Sequence, residues 1–86
     1  MDSLLKTKRF SKDFKKLPHP IQIKVFERLS LFLINPDNPL LNTHDLNPPW
    51  QGYRSINITG DIRLIYRIEG SFYRLTRVGS HPKLYK

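Results

Sequence analysis

Three residues near the C-terminal end of the sequence have the types that work on a phosphodiester demands. His81 follows Gly79-Ser80, with Arg77 four positions before it and Tyr85 four positions after it. RNA carries its own nucleophile, the 2′-hydroxyl. A protein that cuts RNA therefore has three things to supply: orientation of that hydroxyl, charge stabilisation at the phosphate and a proton for the departing 5′-oxygen. Arg meets the second need, because its planar fork of donors grips phosphate at two points. His meets the third, and an aromatic ring such as Tyr85 holds a splayed base by stacking. The competing reading is a surface His followed by a capping Tyr. The other two His, His19 and His44, are scattered in sequence with no acidic cluster beside them, so no metal and no small-molecule cofactor is expected. His19 lies between Pro18 and Pro20 and reads as a turn residue at a helix junction. A Gly-rich phosphate loop and a Ser nucleophile elbow are both absent.

The charge around these residues has one sign. The chain has 86 residues, with 15 Lys and Arg against 7 Asp and Glu, for a net charge of +8. Residues 1–16 hold Lys6, Lys8, Arg9, Lys12, Lys15 and Lys16 against Asp2 and Asp13. Residues 51–86 hold Arg54, Arg63, Arg67, Arg74, Arg77, Lys83 and Lys86 against Asp61 and Glu69. The stretch between is slightly acidic. This pattern points to a polyanionic partner, either nucleic acid or an acidic protein. A chain of this length has room for one core and reads as a single domain over residues 1–86. It has no Cys, which excludes a disulfide scaffold, Cys-ligated zinc and thiol catalysis. No apolar run approaches the roughly 18–20 residues of a membrane span, and Met1 to Lys6 lacks the pattern of a signal peptide. A cytoplasmic protein with no membrane partner is expected.

The elements that must hold the candidate residues follow from periodicity. Leu4 and Leu5 before Lys6-Thr7-Lys8 predict a short first strand. Phe10, Phe14 and Leu17 lie on one face of a short helix, which Pro18-His19-Pro20 breaks. A second helix begins there and runs to about Ile34, with Ile21, Val25, Leu29 and Phe32 at helical spacing. Together the two helices read as a hairpin with a basic outer face. Residues 35–51 read as a long loop, rich in Pro and Asn. From Gly52 the period becomes two. In one strand Tyr53, Ser55 and Asn57 alternate with Arg54, Ile56 and Ile58, and Thr59-Gly60-Asp61 turns into the next. In that strand Ile62, Leu64, Tyr66 and Ile68 face one way and Arg63, Ile65 and Arg67 the other. Glu69-Gly70-Ser71 is a second hairpin turn, Phe72 to Val78 a third strand, and Ser80 to Lys86 a short tail. The expected architecture is α+β. An N-terminal strand and a two-helix hairpin pack on a small antiparallel sheet of about four strands, with the first strand at an edge or the centre.

Several stretches together resemble the RelE/ParE toxin superfamily, and within it the YafQ-type branch of bacterial toxin–antitoxin systems. They are Trp50-Gln51-Gly52-Tyr53-Arg54, Asp61-Ile62-Arg63-Leu64-Ile65-Tyr66, and Arg77-Val78-Gly79-Ser80-His81-Pro82-Lys83-Leu84-Tyr85. Phe10 to Leu17 is similar to the first helix of that family, so the likeness covers nearly the whole chain. The end motif and the Gly-Tyr-Arg element are the specific parts; the helices are not.

The resemblance implies a compact RelE-like ribonuclease fold and ribosome-dependent cleavage of messenger RNA. It implies His81 as general acid and His44 as the residue that orients or deprotonates the 2′-hydroxyl or contacts RNA. Arg77 and Arg54 stabilise the phosphate, Asp61 is the acidic residue entering the middle strand, and Tyr85 stacks on a base. Arg63, Arg67 and Lys83 add positive potential for RNA, and Lys12, Lys15 and Lys16 form a basic helical face for RNA or a partner. The implied partners are an acidic cognate antitoxin, the ribosome and messenger RNA. Ser55 and Asn57 stand where the branch often has an acidic residue and a His, and Asn57 cannot act as a base at neutral pH. Two alternatives follow: a non-catalytic toxin of the gyrase-binding branch, and a catalytically weakened RNA- or ribosome-binding member.

Overall fold

A computed structural model describes residues 4–84 of the chain. Leu4–Lys6 forms a short strand, β1, and the chain turns directly into helix α1, Lys8–Lys15. Thr7 makes that turn. Its Oγ1 accepts from the Phe10 amide at 3.0 Å, capping α1, and donates to the Thr76 carbonyl at 3.0 Å. Helix α2 spans His19–Ile34 with Pro20 in its first turn, where a missing N–H removes no helical bond. Val25, Leu29 and Phe32 are the residues α2 buries, as their spacing predicts. It stops at Asn35, before Pro36. The stretch that follows is tied down by side chains: Asn35 Oδ1 accepts from the Asp37 amide and Asn38 Oδ1 from the Leu40 amide. A 3₁₀ turn at Pro39–Leu41 then buries Leu41 completely.

Four more strands complete the sheet: β2 (His44–Asp45), β3 (Arg54–Asn57), β4 (Ile62–Glu69) and β5 (Phe72–Ser80). Their order is β1-β5-β4-β3-β2. The expected sheet of about four antiparallel strands is thus a mixed sheet of five. β1 lies at an edge and runs parallel to β5, and β2 arises inside the stretch that reads as a loop. Two residues cannot display a period, so β2 leaves no pattern; its pairing with Arg54 and Ser55 makes it a strand. The expected tail after Ser80 winds into one helical turn, α3, His81–Leu84. Gly70 opens the two-residue loop between β4 and β5 at φ +61°, a conformation that glycine adopts without strain. No helix among the described residues is long and apolar enough to cross a membrane.

The core lies between the helices and one face of the sheet. Phe10, Val25, Leu29, Phe32 and Leu41 meet Ile56, Ile58, Leu64, Tyr66, Leu75 and Val78 there. Phe32 sits edge-on to Tyr66 and Tyr73, with ring centroids 4.8 and 4.7 Å away, a geometry that adds about 0.5–1.5 kcal/mol per pair beyond area burial. Tyr66 is 1% exposed. Burial pushes its hydroxyl above the ordinary value of 10.0, and the neighbouring Arg54 charge opposes that push. The folded state therefore keeps a proton that the unfolded chain releases. This contribution to stability is present below pH 10 and is lost as pH rises further. Tyr66→Phe is expected to flatten that alkaline loss in urea titrations from pH 8 to 11, relative to wild type, to about the extent of one titrating group.

A carboxylate closes the open edge of β5. β1 pairs only with Tyr73 to Leu75 and Thr7 reaches as far as the Thr76 carbonyl, so β1 leaves the Val78 amide without a partner. Asp13 of α1 fills the gap. Its Oδ2 accepts from the Val78 amide at 3.2 Å and from Arg77 Nε at 2.7 Å, and its Oδ1 accepts from Arg77 Nη2 at 3.3 Å. The pair is nearly dry, at 8% exposure for the Asp13 side chain and 12% for Arg77. Removing one member of a buried pair strands the other charge, at about 3–5 kcal/mol. Asp13→Ala should cost that much in urea unfolding, and Asp13→Ala with Arg77→Met should recover much of it; additive costs would show that the two do not interact.

Candidate functional site

The second face of the sheet carries no helix pair, and its residues are set by register. His44 pairs with Ser55, Ser55 with Ile65, and Ile65 with Arg77. These four form one row across β2, β3, β4 and β5. The next row is Asn57, Arg63 and Gly79. Beyond it, the His81 amide donates to the Asp61 carbonyl at 3.1 Å, which starts α3 at the end of the sheet. Leu84 seats this turn on the face, its Cδ2 lying 3.5 Å from where a Cβ on Gly79 would be.

A bulge aims Arg77. Leu75 and Arg77 are two residues apart, and in a regular strand they would share a face. The register shifts here: Ile65 opposes Arg77, Tyr66 opposes Leu75, and Thr76 is the extra residue. Leu75 therefore enters the core while Arg77 joins the row with His44. Re-aiming one side chain is the usual effect of such a bulge.

The segment from Leu46 to Tyr53 folds over this face. The Leu46 amide donates to the Tyr53 carbonyl at 3.0 Å, and two turns within it bond Trp50 to Asn47 and Tyr53 to Trp50. It presents Pro49 and Trp50 as a ridge with a cleft on each side. One cleft, about 320 Å³, is lined by His44, Arg63 and His81 with Asn42, Pro49 and Trp50. The other, about 880 Å³, is lined by Arg9, Trp50, Tyr53, Arg77, Lys83 and Leu84, among others.

The first cleft brings together side chains from β2, β4 and α3. The His44 Nδ1 lies 2.8 Å from the Asn42 carbonyl. A carbonyl only accepts, so Nδ1 carries the proton and Nε2 of the neutral ring is an acceptor. Asn42 holds its carbonyl there from a left-handed conformation, φ 47°. Arg63 is fixed by the preceding turn, with Nη1 donating to the Thr59 carbonyl at 3.2 Å and the Gly60 carbonyl at 2.8 Å. His81 is exposed at the start of α3.

The remaining predicted residues divide. Asp61 is exposed beside this cleft, at the turn into β4. Arg77 and Lys83 line the larger cleft. Arg67 lies over the Tyr53 ring at 5.6 Å and 3.7 Å from Glu69. Glu69 also pairs with Arg74 at 2.9 Å, and that bond chiefly holds its carboxyl below the usual range. Arg54 is not brought to the site. It shares a face with Ile56 and Tyr66, opposite to Ser55 and Arg77, and its Nε lies 2.9 Å from Asp45 Oδ1. Its pairing is with the core side of the sheet, and it lines neither cleft. Lys12 and Lys15 of α1 and Lys16 at its C-terminal cap are exposed and line neither cleft; Arg9 of the same helix lines the larger one. Tyr85 lies outside the described residues. Sequence reading missed Asn42, Arg9 and Asp13 as site-forming, and it took Trp50 only as part of a motif. Trp50 did carry a signal, as the single Trp of the chain set in a Pro- and Gly-bearing loop.

Comparison with known proteins places this geometry. The family model for the YafQ bacterial toxin of type II toxin–antitoxin systems matches residues 3–86. The mRNA interferase toxin YafQ of Escherichia coli BL21(DE3) is 31% identical over 74 residues, which is 86% of this chain and 74% of that protein. The crystal structure of YafQ from the same strain superposes with a TM-score of 0.84 at 26% identity, covering 100% of both chains. YafQ in the E. coli DinJ–YafQ toxin–antitoxin complex matches at a TM-score of 0.77 and 26% identity, over 99% of this chain and 98% of that one. A match of sequence and fold over nearly the whole length establishes that the chain belongs to the YafQ family of bacterial type II toxin–antitoxin toxins.

Proposed function

We propose that this chain is an endoribonuclease that cuts messenger RNA on the ribosome, using the RNA's own 2′-hydroxyl as nucleophile. The observation that carries the reading is the convergence of His44, Arg63 and His81 on one cleft from distant parts of the sequence. In the step proposed, the 2′-oxygen attacks phosphorus and the bond to the 5′-oxygen breaks, leaving a 2′,3′-cyclic phosphate and a 5′-hydroxyl. His44 Nε2 takes the 2′-proton, and His81 delivers a proton to the 5′-oxygen. Arg63, already oriented by two turn carbonyls, faces the charge that grows on the phosphoryl oxygens without needing to reorganise. Asn57, beside Arg63 in the register, is suited to orientation and not to proton transfer.

An acidic cognate antitoxin is the proposed partner, by analogy with the complex named above. The far side of the molecule supports it. Leu4, Phe10, Phe14, Phe26, Leu29 and Leu33 line a groove of about 290 Å³ between β1 and the helices, with Lys6 at its rim. Phe26 is 61% exposed there. An amphipathic segment with acidic flanks fits both the apolar floor and the basic rim.

The test is cleavage of a translated message by purified protein and ribosomes. His81→Ala and His44→Ala are each expected to slow cleavage by about 10²-fold or more without loss of folding, the usual scale for a lost acid or base. Cutting at the wild-type rate by His81→Ala would remove the proposed acid. Inhibition of gyrase supercoiling with the message left intact would instead favour the gyrase-binding reading. In a titration with the cognate antitoxin, Phe26→Glu should weaken binding about tenfold or more, as loss of a buried aromatic anchor does.

A further inference from the structure

The larger cleft has a chemistry that the His cleft lacks. Its cations come from three elements: Arg9 from α1, Arg77 from β5 and Lys83 from α3. None of its described lining residues is acidic, and the neighbouring carboxylate, Asp13, is already committed to Arg77 and the Val78 amide. Two aromatic rings form a corner beside these cations. Trp50 and Tyr53 stand at 86° with centroids 5.1 Å apart. Arg67 lies against Tyr53, so Trp50 is the ring left to receive a ligand. The two Thr hydroxyls nearby are occupied as donors: Thr7 donates to the Thr76 carbonyl and Thr76 to the Arg74 carbonyl. The site therefore offers flat apolar walls and positive charge, with little that would read a base edge.

We infer that this cleft is a subsite for single-stranded RNA flanking the cut, with a base stacked on Trp50 and its phosphates on Arg9 and Lys83. The inference rests on the endoribonuclease reading and extends it along the RNA chain. Stacking platforms interleaved with cations are how single strands are held without sequence preference. An acidic peptide would use the cations and leave the rings idle. Distance separates the two clefts. His44 and Arg77 are three strand spacings apart, about 14 Å, and the pair with Asp13 draws Arg77 toward α1, at the β5 edge, away from His44. Arg77 and His44 thus line different clefts. Pro49 and Trp50 line both clefts, so a strand crossing that ridge passes from one to the other.

Trp50 is the chain's single Trp and stands on the ridge between the clefts, so its fluorescence reports RNA at that ridge, and variants of Arg9 and Lys83, which line the larger cleft only, assign the signal to that cleft. The probe is a 2′-O-methyl RNA oligomer of about six nucleotides, within the usual range of single-strand site sizes, which lacks the nucleophile and stays intact. Saturable quenching of Trp50 is expected. Arg9→Ala and Lys83→Ala should each weaken binding several-fold and reduce the slope of log affinity against log salt by about 0.7. Trp50→Ala, followed by anisotropy of a labelled oligomer, should lose roughly tenfold. Binding seen by anisotropy with Trp50 silent and Trp50→Ala neutral would overturn the subsite. So would equal quenching by an acidic peptide of the same charge. The two readings fail separately. If the wild type does not cut messages but RNA quenches Trp50 and Arg9→Ala and Lys83→Ala weaken that binding, the nuclease reading falls and the larger cleft stands as a single-strand RNA site. If it cuts and Arg9→Ala and Lys83→Ala cut with unchanged KM, the subsite falls and the nuclease stands.

Discussion

Asp13 is the constraint through which α1, β5 and the site are joined. A sheet edge presents amides that must find partners, and β1 is too short to serve the whole of β5. One carboxylate takes the Val78 amide and two nitrogens of Arg77. This docks the helix on the strand and fixes the guanidinium behind the larger cleft. It also sets where Arg9 stands, since Arg9 rides on the same helix. The bulge at Thr76 is the other half of the device. It turns Arg77 out of the core side, and Thr76 gives its carbonyl to Thr7 just where β1 ends. The contact between helix and edge strand thus shapes the face on which the chemistry is proposed.

What the sequence made legible was what repeats. The alternation of Arg63, Ile65 and Arg67 with Leu64 and Tyr66 gave both faces of β4, and the pairing register agrees. The spacing of Val25, Leu29 and Phe32 gave the buried side of α2. The face of Arg54 was legible too: it has the parity of Ile56 and Ile58, two core residues, and the register places it on their side of the sheet. Other features could not be read. Asp13 sits among Lys12, Lys15 and Lys16 and looks like one more solvated charge, because its partner is 64 residues away. The bulge breaks the period in β5 and hides which face Arg77 takes. β2 is too short for a pattern, yet its register with β3 is what puts His44 on the site's face. The gathering of His44, Arg63 and His81 depends on that register and on α3, which leave no local signal, as well as on the Thr59–Gly60 turn, which does.

The positive charge of the C-terminal half is not a loose cloud. Each of its five Arg is held by a named group: Arg54 by Asp45, Arg63 by the Thr59 and Gly60 carbonyls, Arg67 by Tyr53 and Glu69, Arg74 by Glu69 and Arg77 by Asp13. The Lys of α1, by contrast, are exposed on its surface. The two kinds of cation suit different work. Mobile surface Lys raise the long-range potential that draws in a polyanion, an effect that salt screens. Pinned Arg have already lost the rotamer freedom that ligand binding would otherwise cost, and their donors need not turn as charge develops on a phosphate. A pairing acid lowers the net charge of the face, so the arrangement exchanges some attraction for orientation. Arg63 escapes that exchange, because neutral carbonyls hold it and its full charge remains. It is also the Arg that lines the cleft with His44 and His81, where transition-state charge would be greatest and an opposing carboxylate would do most harm.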